Sequence, residues 1–179
     1  MEVVMSSDNK LENRLIYLMD QYEKDLLRMC CVYLQDRTLA EDAVQETFLK
    51  AYQGLATFRG DCTEKTWLIR IAMNTCKNMR RNAWFRLVER RITPENLPPP
   101  APSAETDSIT LTQEVMRLPR KQQEVVLLHY YQGLTGREIA LVLGISGPAV
   151  SKRLKQARVR LHIALEGGEE NDECFPSYS

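Results

Sequence analysis

A proline-rich stretch near the middle of the sequence divides the chain into two parts. Five of the eight prolines of the chain lie between residues 92 and 108. Proline has a fixed φ and no backbone N–H, so neither a helix interior nor a central strand tolerates this density. We therefore expect an extended, semi-stiff linker at residues 92–110, between one module at residues 1–91 and another at residues 111–166. Residues 167–179 then form an acidic tail that we expect to be disordered.

The composition is typical of a globular protein and excludes several classes. Charged residues make up 27% and hydrophobic residues 44% of the 179 residues, which excludes a largely disordered chain. No apolar run approaches the roughly 20 residues that a membrane helix needs. The first residues lack the basic and apolar segments of a secretion signal. Eight glycines are few for an all-β fold with many tight turns, so we expect an all-α fold. Because the chain lacks a membrane helix and a secretion signal, we expect a cytoplasmic protein without membrane insertion.

The five cysteines and two histidines show none of the paired short spacings of a zinc site. We expect no metal and no other cofactor. The cysteines are interpreted as reduced thiols that pack as small hydrophobic side chains. A redox role for the adjacent Cys30 and Cys31 stays open.

Basic side chains are concentrated in two blocks, although the formal net charge of the chain is zero. Residues 67–91 hold seven basic and one acidic side chain, and residues 119–165 hold eight basic and two acidic ones. A solvated helix face would explain either block alone. Two blocks that each coincide with an apolar helical pattern indicate two separate contacts with a polyanion.

A helix in the first module carries two distinct faces. Thr38 and Glu41 have the spacing of a capping box, which predicts Thr38 as the N-cap. The apolar face is formed by Val44, Phe48, Ala51 and Leu55. A second stripe on a different face consists of Asp42, Gln45, Glu46 and Leu49. Similar helical spacing before and after this segment predicts that the whole module is helical.

The second module shows the pattern of a helix-turn-helix. Pro119 lies in the first turn of one helix, and Thr135 with Glu138 forms a capping box that opens the next. A tight turn at residues 143–146 ends on Ser146, which we predict as the N-cap of the last helix. Two helices joined by a glycine-containing turn of about four residues are typical of DNA-binding domains.

The last helix has a buried and an exposed side on a helical wheel. The apolar stripe contains Val150, Leu154, Ala157 and Leu161. The opposite side contains Pro148, Ala149, Lys152, Lys155 and Gln156, and the flanks contain Ser151, Arg153, Arg158 and Arg160. Such a helix suits the major groove, with its first residues at base edges and its cations along phosphates.

Two motifs of the first module closely resemble the second domain of bacterial RNA polymerase sigma factors, in particular the compact extracytoplasmic-function (ECF) group. They are AEDAVQETFLKAY at residues 40–52 and FRGDCTEKTWLIRIAMN at residues 58–74. In that family the first motif docks on the clamp of the large polymerase subunit, which implies polymerase contacts for Asp42, Gln45, Glu46 and Leu49. The second motif resembles the element that melts the minus-ten promoter region and captures a flipped base, where Asn74 occupies a matching position.

The minus-ten contacts that follow combine this resemblance with the chemistry of strand opening. Melting needs cations for the backbone and a surface or pocket for an unstacked base. The expected contacts are Asp61, Thr66, Trp67, Arg70, Asn74, Lys77, Arg80 and Arg81. Trp67 would offer an aromatic surface to a base, and packing in the core is an equally open alternative.

The second module resembles the fourth sigma domain over its whole length. It departs in the last helix, where many members have Gly-Thr-Val-Lys-Ser-Arg and this chain has PAVSKR at residues 148–153. The resemblance implies reading of the minus-thirty-five promoter element. The expected contacts are Pro148, Ala149, Ser151, Lys152, Arg153, Lys155, Gln156 and Arg158.

Together these features predict a sigma factor, which is not an enzyme. The expected partners are core RNA polymerase, promoter DNA and an anti-sigma factor that the sequence does not identify. A stand-alone helix-turn-helix regulator is the alternative, but it leaves the motifs of the first module without a task. An enzyme with a DNA-binding tail, such as a recombinase, is the third hypothesis, and the sequence offers it no evident nucleophile, metal cluster or phosphate loop.

Overall fold

The computed structural model describes the backbone of residues 7–89 and 106–165, which contain helices and no β-strand. The helices are α1 (Ser7–Leu34), α2 (Arg37–Leu55), α3 (Glu64–Glu89), α4 (Thr106–Arg117), α5 (Arg120–Val126), α6 (Gly136–Leu143) and α7 (Gly147–Leu165). A π-helical segment (Leu127–Tyr131) continues α5. The all-α prediction is confirmed. Among the described residues, no helix combines the length and apolarity needed to cross a membrane.

The first three helices pack around the apolar face predicted for α2. Val44, Phe48, Ala51 and Leu55 are all buried. They meet buried side chains of α1 and α3, including Leu26, Met29, Leu68 and Met73. Burial of each large apolar side chain stabilises the fold by roughly 1.5–3 kcal/mol. This packing fixes which faces of α2 and α3 point outward.

The prediction of Thr38 as the N-cap of α2 is wrong. The helix begins at Arg37, and the Asp36 side chain accepts a hydrogen bond from the Leu39 backbone N–H at 2.9 Å. Asp36 has the extended backbone of an N-cap, and aspartate caps at least as well as threonine. Glu41, predicted to reach back to Thr38, instead accepts a hydrogen bond from Arg37 at 2.9 Å.

The predicted helix-turn-helix is present in the second module. Thr135 and Glu138 form the predicted capping box, in which each side chain accepts from the other residue's backbone N–H. Gly144 ends α6 with φ +65°, a conformation that L side chains rarely adopt. The Ser146 hydroxyl accepts from the Ala149 backbone N–H at 3.4 Å, as expected for the N-cap of α7.

The helix predicted after Pro119 contains a π turn that the sequence did not indicate. The Gln132 backbone N–H donates to the Leu127 carbonyl, five residues earlier, at 3.2 Å. The His129 ring nitrogen Nδ1 lies 3.0 Å from the Leu134 carbonyl oxygen. The widened turn places Tyr130 on the surface, 55% exposed, beside α7.

The two modules pack directly against each other. Their buried apolar side chains form one continuous cluster. Helix α3 contacts α6, and α1 contacts both α4 and the π segment. Helix α4 begins at Thr106, so the end of the predicted linker 92–110 is helical. Residues 90–105 of the chain and the predicted tail 167–179 lie outside the described residues.

Candidate nucleic-acid interface

The predicted second stripe of α2 lies on the surface. Asp42, Gln45 and Leu49 are exposed, and Leu49 keeps 65% of its surface accessible. Tyr52, one turn further, is another large exposed side chain at 42%. Apolar side chains grouped on a polar helix face are typical of a binding surface.

Glu46 differs from the other members of this stripe. It is half-buried and forms an ion pair with Lys50, with 2.5 Å between Oε1 and Nζ. The same Lys50 ammonium donates to the Thr75 hydroxyl on α3 at 3.1 Å. The charge of Glu46 is therefore paired with Lys50, the residue that contacts α3.

The predicted DNA-contacting residues of α3 fall into two groups. Arg70, Asn74 and Arg81 are exposed, and helical spacing places them on one face together with Lys77. Asp61 is exposed in the preceding loop. This face provides cations for a backbone and, in Asn74, an amide that can pair with the edge of a base.

Lys77 of this face contacts a protein partner, as do two further predicted residues of α3, Arg80 and Thr66. Lys77 Nζ lies 3.5 Å from Oε1 of Glu124 on α5. The Arg80 guanidinium lies 4.2 Å from the centroid of the Tyr33 ring. Thr66 is buried, and its hydroxyl donates to Oε1 of Glu138 on α6 at 2.9 Å. In this arrangement these side chains face protein partners.

Trp67 packs within the first module. Its ring centroid lies 5.0 Å from that of Phe58. A Cβ added at Gly54 would come within 3.0 Å of the Trp67 ring atom Cζ2, so the indole lies directly on the end of α2. Of the two alternatives for Trp67, the structure supports the core contact.

Helix α7 presents the predicted polar side to solvent. Val150, Leu154 and Ala157 are buried, and Leu161 is half-buried against the core. The exposed side chains are Pro148, Ser151, Lys152, Lys155, Gln156 and Arg158, and the half-buried ones are Ala149 and Arg153. The exposure fits a groove-binding helix, and DNA contact itself stays a prediction.

A basic groove of about 500 Å³ lies between the start of α5 and α7. Its cations are Arg120, Lys121, Lys152, Arg153 and Arg160. Gln122, at its base, donates from Nε2 to Gln156 Oε1 at 3.4 Å. Arg120 and Lys121 are not among the contacts predicted from the sequence. Two consecutive cations in the first turn of a helix oppose its dipole, and this was the available signal for an anion-binding role.

Arg158 is oriented by a residue that the sequence did not single out. Its Nε donates to the Tyr130 hydroxyl at 2.8 Å, and the guanidinium lies 5.9 Å from the Tyr130 ring centroid. A guanidinium has five N–H donors, so most remain available for phosphate. Tyr130 thus holds Arg158 on the flank of α7.

The carboxylate of Glu138 is stabilised in its charged form. Hydrogen bonds from the Thr135 backbone N–H and hydroxyl hold its pKa below the ordinary value, against the opposing effect of partial burial. Its second oxygen accepts from Thr66. Glu138 therefore joins the capping of α6 to the start of α3.

The described residues contain no group of three or more His, Cys, Asp or Glu side chains that could hold a metal ion. Cys30 and Cys76 are free and fully buried, with their sulfur atoms 3.3 Å apart. The Cys76 hydrogen bond and burial raise the pKa of the Cys30 thiol, which favours the neutral, unreactive form. Cys30 therefore contacts Cys76 on α3 through its thiol. Its chain neighbour Cys31 is half-buried.

Comparison with known proteins gives a match for each module. The Sigma-70 region 2 family matches residues 18–86, and the Sigma-70 region 4 family matches residues 109–161. The RNA polymerase sigma factor YlaC of Bacillus subtilis is 36% identical over 163 residues, which cover 85% of this chain and 92% of that protein. The ECF RNA polymerase sigma factor SigL of Mycobacterium tuberculosis is 32% identical over 155 residues, covering 83% and 87%.

Two solved structures share the fold. One is the sigma factor RpoE in complex with the anti-sigma factor NepR from Bartonella quintana, with TM-score 0.72, 21% identity, and coverage of 88% of this chain and 97% of that one. The other is CnrH in complex with the cytosolic domain of CnrY, with TM-score 0.66, 24% identity, and coverage of 88% and 91%.

Proposed function

Because the chain belongs to the ECF group of RNA polymerase sigma factors, we propose that α2 binds core polymerase while α3 and α7 contact the two promoter elements. As a sigma factor, it binds core RNA polymerase and directs promoter-specific initiation. Its curated relatives are sigma factors, which are not enzymes. The stand-alone regulator is not favoured, because the region 2 match gives the first module a task.

In the proposed division of labour, residues 1–91 bind polymerase and melt the minus-ten element. The exposed stripe of Asp42, Gln45 and Leu49 supports the polymerase contact, since the core of the module does not use these side chains. On α3, Arg70 and Arg81 would follow the backbone of the separated strand, and Asn74 would hold the edge of a flipped base.

Residues 111–166 would read the minus-thirty-five element with α7. Lys152 lies near the start of the helix and Gln156 one turn further, both on its exposed side, where side chains reach base edges in the major groove. Arg158 lies further along the flank, in the position of a phosphate contact. Arg120 and Lys121 extend the same basic surface across the groove.

The proposed place of action is the cytoplasm, in association with core polymerase. An anti-sigma factor is a further proposed partner, supported by the similar fold of a sigma factor solved in complex with the anti-sigma factor NepR.

The observation that carries the proposal is the pairing of an exposed stripe on α2 with basic faces on α3 and α7. Run-off transcription with purified core polymerase and sheared genomic DNA of the source organism tests it. Transcripts with defined starts should require both the polymerase and this protein. A protein that binds one operator tightly as a dimer, and adds no starts to core polymerase, would support the stand-alone regulator instead.

A further inference from the structure

A buried carboxylate joins the two modules. Glu124 on α5 is 8% exposed, and its Oε1 accepts a hydrogen bond from the Tyr33 hydroxyl on α1 at 3.1 Å. The same oxygen lies 3.5 Å from Lys77 Nζ on α3. Because a buried charge is costly unless it is paired, Lys77 serves as the counter-ion of Glu124 in this arrangement.

The other polar contacts between the modules in the described part of the chain are single hydrogen bonds, among them that from Gln123 Nε2 to the Val32 carbonyl at 3.4 Å. Gln132 Nε2 donates to the Asp25 carbonyl at 2.8 Å, and Gln35 Nε2 donates to the Met116 carbonyl at 3.0 Å. Thr66 donates to Glu138. These polar contacts accompany the continuous apolar cluster that the two modules share.

The contacts between the modules occupy only one of the proposed binding surfaces. Lys77 is paired with Glu124, and Arg80 lies over the Tyr33 ring whose hydroxyl donates to Glu124. By contrast, Lys152 and Lys155 on α7 are exposed, as is Leu49 on α2. The packing of the modules therefore engages Lys77 and Arg80 of the melting face, whereas the α7 face and the polymerase stripe are accessible.

We propose that Glu124 acts as an internal substitute for a DNA phosphate. In the free protein it pairs with Lys77 and, through Tyr33, holds the Arg80 stack in place. Single-stranded DNA then competes with Glu124 for Lys77, so the protein restrains its own melting face without a second protein. This inference rests on the proposed role of α3 and adds a control that lies within the chain.

The test compares single-stranded and duplex DNA binding by full-length variants. The probes are a fluorescein-labelled 12-nucleotide single strand and a 20-base-pair duplex, both of mixed sequence, because phosphate contacts do not depend on sequence. Glu124→Gln removes the charge and keeps an acceptor for Tyr33. We expect single-strand affinity to rise roughly three- to tenfold, as for release of one charge-assisted contact. Duplex affinity should change less than about twofold, since α7 is open in both proteins.

A matched control separates this effect from a simple change of net charge. Glu114→Gln removes the same charge from the second module, but Glu114 pairs with Arg117 on its own helix, at 2.5 Å. This variant should leave single-strand affinity near that of the wild type. An equal rise in both variants, or no rise for Glu124→Gln, would overturn the inference.

A double-mutant comparison tests the role of Lys77 directly. Lys77→Ala should cost little single-strand affinity in the wild type, where Glu124 holds the ammonium. In the Glu124→Gln background, Lys77→Ala should abolish the gain in single-strand affinity. It should also reduce the slope of log affinity against log salt concentration by about 0.7, the value for one phosphate contact with a single strand. An equal cost in both backgrounds would show that Glu124 and DNA do not compete. Should Glu124→Gln fail to fold, the double variant Glu124→Met/Tyr33→Phe carries the same comparison, because it removes the charge that holds Lys77 and the hydroxyl that donates to it, and keeps the ring under Arg80.

Arg70→Ala distinguishes failure of this inference from failure of the proposed function. If Arg70→Ala weakens single-strand binding and Glu124→Gln has no effect, α3 binds DNA without internal competition. If Arg70→Ala also has no effect, the proposed melting face is itself wrong.

Discussion

Thr66, in the first turn of α3, donates a hydrogen bond to the carboxylate of Glu138 in the first turn of α6, at 2.9 Å. Glu138 is also the capping-box residue of α6. One side chain thus closes the start of the helix-turn-helix and fastens it to the helix that carries the proposed melting face. Glu138 therefore contributes both to the stability of the second module and to its contact with the first.

We predict that Glu138 makes thermal stability depend on acid pH. Its folded-state pKa is lowered, chiefly by the Thr135 backbone N–H, so its contribution is present above the unfolded value near 4.5. That contribution is lost as pH falls through the lower, folded-state pKa. Melting temperatures of the wild type and Glu138→Gln should therefore differ at pH 7 and converge as the pH is taken below the folded-state pKa of Glu138, which lies under 4.5. A constant difference across this range would contradict the prediction.

Asp36 and Thr38 provide a matched pair for the start of α2. Asp36→Ala removes the side chain that accepts from Leu39, and should cost about 1 kcal/mol of unfolding free energy. Thr38→Ala lies two residues away and removes no capping contact, so it should cost less than about 0.5 kcal/mol. Urea unfolding of both variants measures the difference. The reverse order would restore Thr38 as the N-cap.

The buried faces of the helices were predictable from the sequence, because burial leaves a periodic pattern. Val44 and Phe48 on α2, and Val150 and Leu154 on α7, are buried as their spacing indicates. The Thr135 capping box was equally visible, since its two residues are close in the chain. Local chemistry thus accounts for the helix-turn-helix.

The engagement of Lys77 and Thr66 could not be predicted in the same way. Tyr33 and Glu124 are 91 residues apart, and no repeating pattern marks a contact of that range. In the sequence, Thr66 and Lys77 are typical of a solvated helix face. Their partners on α6 and α5 are visible only in the folded structure. The prediction of the N-cap of α2 was wrong for a different reason. Aspartate and threonine are both good N-caps, and the backbone conformation decides between Asp36 and Thr38.

For strand opening, we predict that Asn74→Ala impairs melting more than assembly of the holoenzyme. Asn74 is exposed on α3, so its loss leaves the core intact. Permanganate reactivity of promoter thymines should fall by about tenfold or more, the scale of a base contact worth 1–3 kcal/mol. Affinity for core polymerase should stay within about twofold. A pre-melted bubble template should restore transcription, and its failure to do so would rule out the melting role.

Within α7 we predict different behaviour for base-reading and phosphate-binding side chains. Lys152→Ala and Gln156→Ala should each cost about 1–3 kcal/mol on the preferred promoter and relax discrimination at one upstream position. Arg158→Ala should weaken all promoters alike and reduce the salt slope by about one. Tyr130→Phe, which removes the hydroxyl that holds Arg158, should show a weaker form of the same uniform loss. Holoenzyme binding to upstream-element variants checks the set. A uniform loss for Lys152→Ala would contradict this division.

The central claim is that this protein is the promoter-recognition subunit of a polymerase. The exposed stripe on α2 allows it to be tested by measuring affinity for purified core polymerase. The variant Asp42→Lys/Leu49→Ala changes two exposed side chains and spares Glu46, whose charge pairs with Lys50, the residue that contacts Thr75 on α3. Its melting temperature should match the wild type. Its affinity for core polymerase should fall by at least about tenfold, since truncated or reversed contacts at the centre of an interface typically cost more than 1 kcal/mol. A folded double variant that binds core polymerase as tightly as the wild type would contradict the account.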